Sequence, residues 1–144
     1  MADKTFQLEL VTPERHMLTQ TVEEVTCPGL HGSFGVLAGH VPMVMALRPG
    51  QLKIKAEGQE TLYVLGGGFA EIMPGKTLIL ADTAERAEDI DIEAARKERE
   101  RAVAQMKKGV RGKDLDQAEI SLHKALARLR VADTMRRRKP HTRG

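Results

Sequence analysis

The residues able to do chemistry are scattered along this chain. His16, His31, His40, His123 and His141 form no His-x-x-x-His or His-Glu-x-x-His spacing, so no helix face presents a pair of them to a metal. Ser33 and Ser121 lack a nucleophile elbow, because Gly32-Ser33-Phe34 is not Gly-x-Ser-x-Gly. Cys27 is the only cysteine, which excludes an internal disulfide and metal sites built on cysteine pairs. Beside Pro28 at a strand end it reads as a buried, inert thiol, and a reducing compartment fits. His40 has the chemistry of a general base, yet nothing pairs it with a nucleophile, and a hydrogen-bonded loop histidine is the preferred reading. Gly66-Gly67-Gly68 could suggest a phosphate cradle. It sits between strands, however, with no helix after it and no Lys-Ser/Thr behind it, which points to a bulge or tight bend.

Two clusters remain. The first is Gly32-Ser33-Phe34-Gly35-Val36-Leu37-Ala38-Gly39-His40-Val41-Pro42, read as a single turn between two strand-like segments. Its glycines permit positive φ or close backbone approach, and Pro42 pushes Val41 into an extended conformation. The second is cationic: Arg128, Arg130, Arg136, Arg137, Arg138 and Lys139 concentrate near the chain end. Residues 1–87 carry seven Lys/Arg against ten Asp/Glu, and residues 88–144 carry sixteen against ten, so a net charge of +3 hides an acidic half and a basic half. Such a basic arm is a solvated face or a surface for an acidic partner, nucleic acid or a membrane.

The elements that must position these clusters change type partway along the 144 residues. Phe6, Leu8 and Leu10 alternate with polar residues before Thr12-Pro13. Val22 and Val25 precede Cys27-Pro28-Gly29, and Leu52 and Ile54 alternate before Glu57-Gly58. Residues 62–65, 69–73 and 77–81 complete a series of short strands joined by hairpins, as in a sandwich or flattened barrel. From Ala84 the period changes. Asp91 caps a first helix that stops at Lys107-Lys108-Gly109, and Asp114-Leu115-Asp116-Gln117 opens a second with capping-box spacing. Leu115, Ala118, Leu122, Ala125, Leu129 and Ala132 form one seam on the second helix; Ile92, Ala95, Ala102 and Met106 nearly match it on the first, with Arg99 interrupting. The fold class is therefore a β sandwich or flattened barrel over 1–86, an antiparallel two-helix hairpin over 87–139, and a tail over 140–144 expected to be disordered. The hairpin seam is lean in large side chains. It reads either as a permanently packed pair or as a segment able to exchange its packing. The longest apolar run, 41–47, is far below the ~18 residues that span a bilayer. Met1-Ala2-Asp3-Lys4 opens no signal-peptide pattern, so the chain is expected to stay where it is made.

The run from Gly32 to Pro42 matches Gly-x-Phe/Leu-Gly-hydrophobic-hydrophobic-x-x-His-x-Pro, and with the β-then-α organisation the chain resembles the epsilon subunits of F-type rotary ATP synthases over nearly its whole length. The resemblance implies a non-catalytic central-stalk subunit of a proton-translocating enzyme, peripheral on the cytoplasmic face of the membrane and touching that membrane only through partners. Those partners are the gamma subunit, the rotor ring of c subunits, and the catalytic beta and alpha subunits. It assigns Gly32, Ser33, Phe34, Gly35 and His40 to the gamma and ring contact. It assigns Arg128, Arg130, Arg136, Arg137, Arg138 and Lys139 to an inhibitory contact with the catalytic head. Some members bind ATP through an Ile/Leu-Asp-x-x-Arg-Ala motif, matched here by Ile90-Asp91-Ile92-Glu93-Ala94-Ala95 with Ala94 in place of the arginine. Glu85, Arg101, Lys124 and Arg128 fall at other contact positions, while Gln117 replaces a further arginine. The constellation of Glu85, Ile90, Asp91, Ala95, Arg101, Lys124 and Arg128 is thus a degenerate ATP site, and no cofactor is expected. The alternative is a basic nucleic-acid-binding module on a sandwich core. Trp is absent and the aromatics Phe6, Phe34, Tyr63 and Phe69 leave no stacking platform in the cationic half, which argues against nucleic acid and carbohydrate alike.

Overall fold

The structure, a computed structural model, describes residues 4–138. In Phe6–Val11 (β1), Phe6, Leu8 and Leu10 are buried while Gln7 is exposed, the two-residue period of a strand with one face on a core. His16–Val22 (β2), Glu24–Gly29 (β3), Gly32–Leu37 (β4), Met43–Ala56 (β5), Gln59–Met73 (β6), Lys76–Ala81 (β7) and Ala84–Arg86 (β8) follow. They are hydrogen-bonded in the order β2-β1-β7-β6-β5-β3-β4, with β8 on β6. Neighbours are antiparallel except β1 and β7, which pair in parallel from Gln7↔Lys76 to Val11↔Leu80. This long-range pair lies outside the hairpin-only reading.

The strands β5 and β6 are long enough to serve both layers of a sandwich. Tyr63–Leu65 of β6 pair with β8, and Gly68 to Met73 pair with β7. Gly66-Gly67-Gly68 lies at the changeover. The separate strands expected on either side of these glycines are therefore one strand, bent within itself. A Cβ on Gly68 would collide with the Leu80 carbonyl oxygen, and the φ of 140° there suits glycine alone. Leu8, Leu10, Ile72 and Ile79 from one end of the sheet order meet Val25, Val36, Leu52 and Ile54 from the other in a single core cluster.

The stretch 32–42 is likewise not a single turn. Its first six residues are β4, paired with β3 through Gly29↔Gly32 and Cys27↔Phe34; only residues 38–42 form the turn into β5. The signal that sequence reading passed over is Gly29-Leu30-His31-Gly32, a two-residue hairpin loop between glycines. A Cβ on Gly29 would lie 2.5 Å from the Gly32 carbonyl oxygen, so the close approach requires glycine.

The second half holds a 3-10 turn at Ala87–Asp89 and two helices, Ile92–Lys107 (α1) and Lys113–Arg138 (α2). Asp91 caps α1, accepting the Ala94 N–H at 3.0 Å, and Gly109 with φ 81° ends the turn after it. Helix α2 begins at Lys113. Asp114 and Asp116 consequently stand inside its first turn, favourable to the helix dipole, and Asp114 is not its cap. Ala95 and Ala102 of α1 and Ala118, Ala125 and Ala132 of α2 are buried, while Leu115, Leu122 and Leu129 are half-buried. Ile92 is exposed and leaves the expected seam; Ala127 and Val131 are buried outside it, and the Ala87–Asp89 turn packs on α2. The chain separates into two compact units, Met1–Arg86 and Ala87–Gly144. Lys139 and the tail 140–144 lie outside the described residues.

One core group is unpaired among the described residues: the Thr77 hydroxyl on β7, fully buried with no hydrogen-bond partner. An unsatisfied buried hydroxyl costs about 1–3 kcal/mol. Thr77→Val keeps the shape and removes it, so the urea midpoint should rise by the equivalent of ~1 kcal/mol at constant m-value. A lower midpoint would show that the hydroxyl is satisfied in solution.

Candidate functional site

The candidate contact residues lie on the sheet and on the hairpin. On the sheet, Ser33 and Gly35 are exposed along β4, Gly32 has φ 137°, and Phe34 packs half-buried against the core. His40 stands in the turn that follows. Its Nδ1 donates to the Val41 carbonyl at 2.8 Å, and its backbone N–H donates to Leu37. Gly39 donates to the Pro74 carbonyl at 2.9 Å, tying this turn to the one between β6 and β7. The hydrogen-bonded histidine of the sequence reading is present, and its bond fixes a backbone shape. The Gly32 to Gly35 segment and His40 are thus on a strand and on a turn respectively, not on one loop.

The larger feature was missed from the sequence. The outward row of β6, Phe69, Glu71 and Met73, lies between Leu80, Leu78 and Lys76 of β7 and Ala46 and Val44 of β5. Phe69 is 56% exposed, Val44 66%, Leu80 48% and Met73 46%. The sequence marks 69–73 only as a strand; the strand pairing shows which of its residues face outward and that they adjoin. The pairing gathers these apolar side chains into one exposed patch on the sheet face. At its rim Glu9 of β1 is held by Lys76 at 3.1 Å and His16 at 3.2 Å. The hydrogen bond from Lys76 keeps the Glu9 carboxyl below its usual value, with the charges of Lys76 and His16 adding to the effect.

The hairpin carries the cations. Arg128 of α2 reaches Glu98 of α1 at 3.8 Å and so bridges the two helices. Arg136 and Arg137 both meet Asp133, at 2.7 and 3.0 Å, while Arg130 and Arg138 are exposed. The Arg136 hydrogen bond holds the Asp133 carboxyl below its usual range; these contacts exist above the ordinary carboxylate pKa and are lost as pH falls through the depressed one. Asp133 was not singled out from the sequence, although its spacing of three and four residues to the arginines was readable.

The ATP-like constellation is dispersed in function. Asp91 is engaged as the α1 cap, Ala95 is buried in the hairpin seam, Lys124 and Ile90 are half-buried, and Glu85 belongs to the other unit, on β8. Arg101 lines a cleft of about 240 Å³ with Glu98, Gln105, Asp114, Gln117 and Ser121, its floor made by Ala102 and Ala118. Two carboxylates against one guanidinium do not favour a polyanion there. Among the described residues no group of three or more His, Cys, Asp or Glu could hold a metal ion, and no helix is long and apolar enough to cross a membrane.

The described residues thus form a sandwich of this strand order followed by a two-helix hairpin. The match to a known family covers most of both units: residues 5–87 fit the ATP synthase, Delta/Epsilon chain, beta-sandwich domain, and residues 88–133 the long alpha-helix domain of the same chains. The chain belongs to the ATP synthase delta/epsilon chain family. The ATP synthase epsilon chain of Nitratidesulfovibrio vulgaris is 46% identical over 90% of this chain and 96% of its own length. That of Herpetosiphon aurantiacus is 42% identical over 92% and 97%. Among solved structures, a chain of the Euglena gracilis mitochondrial ATP synthase, OSCP/F1/c-ring, superposes with a TM-score of 0.79 at 31% identity, covering 88% of this chain and 81% of that one.

Cys27, fully buried on β3, has its thiol pushed up to about 12 by burial. Iodoacetamide at pH 8 should therefore leave the native protein unlabelled and modify it only as the β unit unfolds in urea. Native labelling at the rate of a free thiol would contradict the burial.

Proposed function

We propose that this chain is the non-catalytic epsilon-type subunit of a rotary ATP synthase. Its sheet unit docks in the central stalk against the gamma subunit and the c-subunit ring, and its hairpin restrains ATP hydrolysis by meeting the catalytic beta and alpha subunits. The observation that carries this reading is the match of both units, in order and nearly end to end, to one family of stalk chains. The exposed apolar sheet face supports it, since that surface has the character of a partner contact. The turn held by His40 and Gly39 presents Val41 and Leu37 to solvent, which suits a second partner at that end of the sheet. The subunit works peripherally at the cytoplasmic face, held to the membrane by the ring. Affinity purification of the tagged chain from membranes should bring gamma, alpha, beta and c subunits with it; recovery of nucleic acid in their place would overturn the reading.

The cationic end supplies the inhibitory contact. Replacing Arg136, Arg137 and Arg138 with Ala removes three exposed charges worth about 0.5 kcal/mol each, so the inhibited-to-active ratio should fall roughly ten-fold. Asp133→Asn releases Arg136 and Arg137 from their internal carboxylate and should act in the opposite direction. Steady-state hydrolysis by the assembled enzyme reads both, and equal rates for all three proteins would discard the inhibitory role.

Nucleotide binding is a separate property. With Ala94 and Gln117 at the positions where ATP-binding relatives carry arginine, charge-assisted hydrogen bonds to the phosphates are lost. Calorimetry with Mg-ATP should show a Kd no tighter than about 1 mM, near −4 kcal/mol. Ala94→Arg combined with Gln117→Arg should tighten it. Micromolar binding by the unaltered chain would refute this.

A further inference from the structure

Glu71 stands out on the apolar sheet face. Along β6 it lies between Phe69 and Met73; across the strands it is directly opposite Leu78 of β7 and Val44 of β5. Its four nearest outward neighbours are thus apolar, at the ~5 Å separation of paired positions and slightly more along the strand. The cation closest by register is Lys76, diagonal to Glu71 and opposite Met73. Lys76 is directed elsewhere, to Glu9 at 3.1 Å, where His16 also converges. Among the described residues the Glu71 carboxylate has no hydrogen bond or ion pair. The face therefore offers a docking partner a greasy ring around one exposed, uncompensated carboxylate.

A partner that covers Phe69, Val44, Leu80 and Met73 must take Glu71 out of water. An unpaired carboxylate buried in this way would oppose binding strongly, so the partner has to supply a cation at that point. An anionic bilayer surface would repel it, and a purely apolar surface would leave it unsatisfied. We infer that Glu71 is the specificity-determining contact of this face, selecting an apolar surface of the gamma subunit that places one Lys or Arg against it. This rests on the stalk-subunit reading above and adds to it the residue that sets register and partner choice.

The test is rebinding of the full-length chain to an ATP synthase head stripped of its own copy, for the wild type and for Phe69→Ala, Glu71→Gln, Glu71→Leu and Glu71→Lys. Thermal melts of each variant confirm folding, since all the altered positions are solvent-exposed. Phe69→Ala should weaken binding. Glu71→Gln should weaken it about 30-fold or more and flatten its salt dependence, because the partner's cation is left buried and alone. Glu71→Leu should also weaken binding, and Glu71→Lys should nearly abolish it. If the wild type does not rebind, the stalk reading itself fails. If it rebinds but Phe69→Ala has no effect, or the isolated chain self-associates through Phe69, this face is not the gamma dock and the inference falls. If Phe69→Ala weakens binding while Glu71→Gln is neutral or Glu71→Leu is tighter, the dock stands and the role of Glu71 is overturned.

Discussion

The register of the β5–β6 hairpin is the constraint on which the rest of the molecule depends. The two strands pair without a slip from Met43↔Ile72 to Ala56↔Gln59, closed by a two-residue turn in which Glu57 and Gly58 have φ of 54° and 77°. That geometry matches the twist of the flanking strands and sets which residues oppose which. Because side chains alternate with a period of two, displacement by one residue would bring Phe69, Glu71 and Met73 inward and put Ala70 and Ile72 in water. The core cannot accept a carboxylate in place of Ile72 without losing several kcal/mol. Core burial and the presentation of the docking face are therefore one requirement, and stability of the fold enforces the geometry of the contact.

The helical unit is held differently. Its seam is mostly alanine, and an alanine methyl contributes under about 1 kcal/mol where a buried leucine contributes roughly 1.5–3 kcal/mol. High alanine content nonetheless keeps each helix intrinsically stable. The Asp91 cap and the Gly109 stop fix the ends of α1 independently of what either helix packs on. Charge then supplements the thin seam, as in the Arg128–Glu98 bridge, which salt or a competing carboxylate can replace. Helices stable in themselves and joined by so lean a seam are consistent with the regulatory role proposed for the hairpin.

How much of this was legible beforehand follows from the range of each interaction. The α1 boundaries rest on local chemistry, and Asp91 and Gly109 announced them. The parallel β1–β7 pair joins residues some seventy positions apart in sequence, and no local pattern carries such information. The glycine run was legible as a bend, but not that the strand continues through it: Gly68 lets one strand bend where its backbone passes close to Leu80. In the stretch from Gly32 the glycines point to one turn and mask the weak alternation of Phe34 and Val36 that belongs to β4. The cationic cluster was visible as composition, yet its pairing with Asp133 required attention to three- and four-residue spacing.

Glu71 shows why a functional surface can hide in a sequence that is otherwise easy to parse. Phe69-Ala70-Glu71-Ile72-Met73 is apolar except at Glu71, so by itself it reads as a strand in which a single outward glutamate needs no explanation. Only when β5 and β7 are laid on either side does the same glutamate become a charge enclosed by Leu78, Val44, Phe69 and Met73. The neighbouring ions complete the isolation: Glu9 gathers both Lys76 and His16, so Lys76, the cation closest to Glu71 by register among the described residues, is engaged at the rim. Had Lys76 turned inward, the face would be internally satisfied and indifferent to the charge of its partner. The distribution of three charges around an apolar patch thus converts a generally adhesive surface into one that discriminates.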